Sequence, residues 1–463
     1  MGVSTGVRSR ATTRVLTMLP VALVLLSCGE TAEGQGAGPP PTLYGPTGDL
    51  IPPGPAVPDG AVSAEVVEGM EKLFDRTVPG GPIEAIGQLG AAGDPRVLWL
   101  LTDLFPFSNR DMLTAVRAAF VELTQSELAP EDDGRLTMIN RLIAWDLPAF
   151  PGYREYKWRL FRFIEPLWEP FFTDEDSAID WRLVGWGGVA IDERLHATPE
   201  ARCLRGCIPA IDDPAVTSAS GGDWYPDERL VFGLVINGEA RAYPKNLMEV
   251  HEMVNDTLGG RRFGMPYCTL CGSAQAYFTD DVEGFSPVLR TSGLLSRSNK
   301  FMYDRSTWSA VDTFTGQALS GPLHEAGVVL SPVAVVTSTW GDWKREHPET
   351  TILDRFRAYP LDPLRGRDDH GPIFPVGDVD QRLPIQERVL GVEAPDGPVA
   401  FPVAPAVIAL KEGVAVEMGG ARLELDGSGL RAFIGERDAA AHEAFWFAWS
   451  QFKPDTRIWE RDG

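Results

Sequence analysis

Positive charge is scarce in this chain: 42 Lys and Arg stand against 65 Asp and Glu, a formal net charge of -23. Such a surface repels phosphate backbones and anionic headgroups, and no basic stripe interleaved with aromatics offsets it, which argues against nucleic acid as a partner. Several enzyme signatures are missing too. There is no Walker loop, no GxGxxG opening a helix after a strand, no HExxH and no convincing nucleophile elbow. Beyond Leu26 no apolar run is long enough to read as a membrane span. Cysteine and histidine are sparse, at 5 and 6 copies, so thiol or imidazole chemistry has few residues to draw on. What is present is core material: 44% hydrophobic residues, with 13 Trp and 22 Phe among 463, enough for two or three domains.

The start reads as an export signal. Arg8, Arg10 and Arg14 precede an apolar run from Val15 to Leu26, too short for a permanent membrane helix. It closes on Leu25-Leu26-Ser27-Cys28, which resembles the lipobox of bacterial lipoproteins, where cleavage leaves the cysteine acylated. That resemblance implies a lipoprotein signal peptide over 1–27 and Cys28 as the lipidation site. The protein would then sit outside the cytoplasm at the bacterial cell envelope, touching the membrane through its lipid anchor only. An ordinary cleaved signal with an incidental cysteine is the alternative. Residues 28–62 are rich in Gly and Pro with few large apolar groups and read as a tether.

Helical periodicity begins next. Ile83, Ile86 and Leu89 mark one helix, Gly90 to Asp94 break it, Pro95 suits a first helical turn, and Val97, Leu98, Leu101 and Leu104 mark another. The helix-Gly-Asp-Pro-helix phrase resembles one HEAT-type repeat, so 63–175 is expected to be an all-α, HEAT-like domain, serving either as a surface for protein docking or as packing against the larger domain. From Trp181 the pattern turns to short strands. "RLVFGLVINGEARAYP" places Asn237-Gly238 at a two-residue hairpin turn, and "RVLGVEAPDGPVAFP" repeats the design with Asp396-Gly397. Each is succeeded by a Gly-Gly pair, Gly259-Gly260 or Gly419-Gly420. The expected fold class is α+β: the helical domain, then a β-rich domain over 181–460 with an internal duplication, its halves at about 225–330 and 385–460.

Only the first half carries "PYCTLCGSAQAY", with Cys268 and Cys271. Before it, Leu247, Val250, His251 and Val254 fall at helical spacing and put His251 on an apolar face. Three readings stay open. In a redox site one thiolate attacks and the other resolves, with His251 as base or thiolate partner; the stretch after Cys271 alternates like a strand, so this is no thioredoxin arrangement. In a metal site His251, Cys268 and Cys271 would be ligands for copper or zinc, with Met265 and Met302 as conceivable sulfur donors. In a structural reading the cysteines are staples, Cys203-Cys207 being a possible disulfide. A buried histidine satisfied by a backbone carbonyl is the plainer role for His251.

The phrases "VFGLVINGEARAYPKNLMEVHEMVNDTLGG", "PYCTLCGSAQAY", "SGLLSRSNKFMYDRSTWSAVDTFTGQALSGPL", "TWGDWKREHPETTIL" and "FWFAWSQFKPDT" resemble the ordered signatures of a bacterial family of unknown function, DUF3179. Some relatives being selenoproteins, the resemblance implies redox use of this cysteine motif. It also implies that Ser292, Asn299, Tyr303 and Asp304 support the site. Val311, Thr313 and Gln386 depart from the family's pattern and put its usual ligand in doubt. The leading expectation is a thiol-disulfide or related oxidoreductase acting on a small molecule or protein thiol. A copper- or zinc-binding module and a noncatalytic scaffold are the alternatives.

Overall fold

The computed structural model describes residues 51–75, 81–129, 134–196, 203, 205–355, 359–366, 368 and 371–461. The expected signal peptide over 1–27, Cys28 and the tether as far as residue 50 lie outside them. Among the described residues no helix is long and apolar enough to cross a membrane.

The helices expected from periodicity form. Ala64–Lys72 is opened by Ser63, whose Oγ accepts from the Val66 N–H at 3.2 Å, and Arg110–Thr124 by Asn109, which accepts from Met112 N–H at 2.9 Å. Pro95 opens a short 3₁₀ turn, Pro95–Val97, before Leu98–Thr102, every residue of which is buried. The expectation of a HEAT-like all-α domain is overturned. The helical part is modest, broken by 3₁₀ turns, and has no closed core of its own. Its buried cluster, from Val66 through Phe172, continues without a break into Leu294, Phe301, Tyr303 and Ala310 of the β-rich region. Polar ties cross the same seam: Trp168 Nε1–H donates to the Ser292 carbonyl at 2.8 Å, and Asn140 Oδ1 accepts from the N–H groups of Val376 and Gly377 at 2.8 and 2.9 Å.

The rest is five separate sheets of four to six strands in a propeller-like arrangement. Two of them share one plan. Hairpin Leu230–Ile236/Glu239–Pro244 is flanked by the antiparallel strand Val336–Thr339 and the parallel strand Thr351–Leu353, with helix Trp340–Glu346 between. Hairpin Arg388–Ala394/Gly397–Pro402 is flanked likewise by Ala441–Phe445 and Arg457–Ile458, with helix Trp446–Phe452 between. Even single contacts repeat. Trp343 lies on Gly233 and donates to Thr350 Oγ1 at 3.0 Å; Trp449 lies on Gly391 and donates to Thr456 Oγ1 at 2.8 Å.

The duplication therefore has different bounds from those expected. The first copy runs from Leu230 to Leu353, interrupted by the inserted strands Leu289–Ser296, Asn299–Asp304 and Ser309–Asp312, and the second runs from Arg388 to Ile458. The second hairpin also turns one residue earlier than expected. Ala394 pairs with Gly397, so Pro395-Asp396 is the turn, whereas Asn237 and Gly238 sit in the first turn with φ of 49° and 83°.

The copies dock reciprocally. In the first, the loop after strand Arg261–Cys268 meets Phe445 of the second, whose N–H donates to the Cys271 carbonyl at 2.8 Å. In the second, Ser428, after strand Ala421–Asp426, accepts on Oγ from the N–H of Thr339 at 2.9 Å. Thr339 and Phe445 are equivalent strand ends, pairing with Leu230 and Arg388.

Candidate functional site

Cys268 ends its strand, and the chain turns through Thr269 and Leu270 so that Cys271 N–H returns to the Cys268 carbonyl at 3.2 Å. Gly272 completes the turn at φ +60°, where an added Cβ would lie 2.8 Å from the Phe445 ring, so the left-handed backbone and the close approach both require glycine. The two thiols are free and about 1% exposed.

Their partners come from the inserted hairpin. Its tip, Arg297-Ser298, brings the Ser298 carbonyl within 3.6 Å of Cys268 Sγ and 3.5 Å of Cys271 Sγ. Asn299 Oδ1 lies 3.8 Å from Cys271 Sγ, and the backbone N–H of Lys300 reaches Cys268. The Lys300 ammonium is itself buried, 3.4 Å from Glu252 Oε2 and hydrogen-bonded to the Glu252 carbonyl. Glu252 caps helix Lys245–His251 at φ 52° and accepts from Thr269 Oγ1 at 3.0 Å, joining helix end, thiol loop and lysine.

This setting divides the thiols. Burial opposes ionisation of both, but the Cys271 thiol and the Lys300 N–H hydrogen-bond the Cys268 sulfur and hold it below the ordinary thiol value. Burial, then the neighbouring Cys268, push Cys271 well above it. Burial also lowers Lys300, against the pull of Glu252 and Cys268. Four buried polar atoms in these same segments have no hydrogen-bond partner among the described residues: Ser273 Oγ, Gln275 Oε1, Asn299 Nδ2 and Thr313 Oγ1. Unsatisfied groups at that density are unusual in a core and common where a ligand or water belongs.

Of the expected supporting residues only Asn299 touches the dithiol. Ser292 Oγ donates to the Phe301 carbonyl, Tyr303 OH to the Asp192 carbonyl at 2.6 Å, and Asp304 caps its turn by accepting from Val288 and Thr307 N–H at 2.7 and 2.9 Å. His251 is buried at the helix end with Nδ1 2.6 Å from the Pro209 carbonyl and its ring edge-on to Tyr359. Met265 and Met302 lie in two other apolar clusters than the cysteines. Cys203 and Cys207 form a disulfide, Cα–Cα 5.2 Å. With Asp192 they are also the one group of three His, Cys, Asp or Glu ligand atoms within 4.8 Å of each other among the described residues; His251, Cys268 and Cys271 are not such a group. Sequence reasoning missed Lys300 and Glu252. The signal that could have found Lys300 is a lone lysine inside the apolar strand "NKFMYD".

Residues 205–429, which carry the thiol loop and the inserted hairpin, match the family described as Protein of unknown function (DUF3179). The chain belongs to the DUF3179 family through this segment. No curated protein and no solved structure matches it. The matched stretch covers the dithiol, its hairpin, the whole of the first copy and the first part of the second, and stops short of the Trp446–Phe452 helix.

Proposed function

We propose that this DUF3179 protein is an exported, lipid-anchored thiol redox protein whose Cys268-Cys271 pair cycles between dithiol and disulfide. The observation that carries the reading is the pair of unbonded, mutually hydrogen-bonded thiols beside a buried lysine, with the Lys300 N–H directed at one sulfur only. The Cys268 thiolate attacks a sulfur of a substrate disulfide, whose S–S bond breaks and whose leaving sulfur takes up a proton. Cys271 then loses its proton and attacks Cys268, forming the internal disulfide and releasing the second substrate thiol. Two electrons and two protons pass to the substrate. Burial of both sulfurs favours a small-molecule partner over a protein thiol. Export and anchoring rest on the residues up to Cys28, and docking of a protein on the helical part remains part of the same proposal.

A second reading, copper(I) held by the two thiolates, is favoured by the convergence of both sulfurs beside the Ser298 carbonyl. Zinc is favoured less, because among the described residues no group of three His, Cys, Asp or Glu ligand atoms includes the two thiols. Thiol titration against redox buffers, with metal analysis of the same Cys28→Ala preparation, tests the choice. Two thiols oxidising reversibly in metal-free protein, and lost in Cys268→Ser, support the redox reading; stoichiometric copper lost in Cys268→Ser or Cys271→Ser overturns it.

A further inference from the structure

The hairpin that carries Ser298 to the thiols turns on two residues, Arg297 and Ser298, since Ser296 pairs with Asn299. Arg297 sits there at φ 51°, and Ser298 does not share the positive φ, a turn whose first central position ordinarily falls to glycine. Local geometry therefore gives no reason for an arginine, and a side chain kept on a strained backbone suggests a role of its own.

The tip has two faces. Ser298 turns its carbonyl to both sulfurs and donates its Oγ–H to the Phe374 carbonyl at 3.0 Å. Arg297, whose backbone N–H donates to the Leu183 carbonyl at 2.8 Å, lines a cavity of about 160 Å³ between the hairpin and the helical part. Its walls are apolar and largely aromatic: Trp99, Phe105, Phe161, Trp186 and Phe374, with Ile143 beside them.

The other polar side chains of that lining are occupied. Thr102 Oγ1 donates to the Trp99 carbonyl at 3.0 Å, and the Trp99 and Trp186 indoles donate to the Leu147 and Val189 carbonyls, each at 2.9 Å. Lys157 Nζ donates to Asp103 Oδ1 at 2.7 Å and to Tyr153 OH at 3.0 Å, while Asp103 Oδ2 accepts from Tyr153 OH at 2.7 Å, so this group compensates itself. Arg182 gives its nitrogens to Asp180, Asp146 and the Leu147 carbonyl. Arg297 is the exception. Its guanidinium makes no hydrogen bond or ion pair among the described residues, and its nitrogens are not among the buried atoms left without a partner, so the group opens onto free space. Burial lowers its pKa, against the pull of Asp378, Asp180 and Asp146, yet a guanidinium keeps its charge at neutral pH. Of those carboxylates, Asp180 and Asp146 are held by Arg182, and Asp378 is exposed.

One unpaired cation among satisfied aromatic walls selects a class of ligand. An apolar cavity of about 150 Å³ is enough to take a benzene ring, and the guanidinium fork matches a carboxylate. We propose that this cavity binds a one-ring aromatic monocarboxylate, its ring among Trp99, Phe161 and Phe374 and its carboxylate paired with Arg297. The site does not rest on the redox reading, because neither cysteine lines it.

Benzoate is the probe, with benzamide, its neutral isostere, and acetate, which lacks the ring, as controls. In calorimetric titration of the Cys28→Ala protein at neutral pH, benzoate should bind saturably, and benzamide and acetate each about tenfold or more weakly, as expected for a lost charge-assisted hydrogen bond and a lost buried ring. Arg297→Gly should bring benzoate down to the affinity of benzamide, and because glycine suits that turn the variant should melt no lower than the parent. The Cys268→Ser, Cys271→Ser double variant should bind benzoate as the parent does. No saturable benzoate binding to the parent protein, equal binding of benzamide or of acetate, or undiminished benzoate binding by Arg297→Gly would overturn the proposal. The comparison of the three probes needs no substitution, so misfolding of a variant cannot leave the question open.

Discussion

At the position of Cys268 a buried sulfur is held below the ordinary thiol value because the Cys271 thiol and the Lys300 backbone N–H hydrogen-bond it, with the Lys300 ammonium close enough to interact with it. Lys300→Met removes the ammonium and leaves the Glu252 carboxylate without that partner, so Cys268 should titrate higher, read from thiolate ultraviolet absorbance in a Cys271→Ser background. An unchanged titration would mean that the lysine serves packing alone. Two neighbours on one strand make a second case. Burial takes His442 from 6.5 to about 4 on folding, so between those values the unfolded chain binds a proton that the folded chain refuses, and stability rises with pH. Glu443, buried 3.7 Å from Arg388, rises from 4.5 to about 7, so across that window the folded chain keeps a proton that the unfolded chain has lost, and stability falls as pH rises. The two slopes oppose each other between pH 4.5 and 6.5. Urea midpoints should show Glu443→Gln gaining stability with pH across that window and His442→Val losing it, each by on the order of 2 kcal/mol relative to the parent. Identical slopes in both variants would refute the assignment.

Within single elements, much was legible and the errors have causes. Asn237-Gly238 marked its turn because a type I′ turn needs positive φ at both central residues, which those two residues accept. Asp396-Gly397 misled by one position because Pro395 occupies the turn's first central site and Gly397 is already paired. The Trp343 and Trp449 helices are the same element twice, and the sequence carries the trace: Trp340, Trp343, Pro348, Thr350 and Ile352 recur at the same spacing as Trp446, Trp449, Pro454, Thr456 and Ile458. Methyl groups at the glycines beneath those indoles would lie 2.3 Å from Trp343 and 2.1 Å from Trp449. Gly233→Ala and Gly391→Ala should therefore each destabilise by about 1–3 kcal/mol in thermal or urea unfolding. Thr350→Val and Thr456→Val, which strand a buried indole N–H, should cost about 1–3 kcal/mol. A marked difference between the two copies would argue that the sheets are not equivalent.

On the scale of the whole molecule the helical part is a cap on the β-rich region, since its core runs on into Leu294, Phe301, Tyr303 and Ala310. A fragment ending at residue 178 would expose that apolar seam, and it should show no cooperative thermal transition by circular dichroism; a sharp melt would restore the idea of an independent domain. The sequence by itself determined the local elements, the existence of a repeat, the dithiol as the centre of interest and the family, because side-chain periodicity, turn chemistry and motif order are local properties of the chain. Tertiary structure alone decided which groups surround the thiols. Lys300 and Ser298 arrive on a hairpin some 30 residues along, while His251, much nearer the cysteines in sequence, makes its contacts with Pro209 and Tyr359. It also decided which residues share a cavity, because Trp99 and Arg297 stand far apart in the chain and line one space only through the docking of the helical part on the inserted hairpin. Periodicity says which face of an element is apolar; it does not say which distant element will cover it.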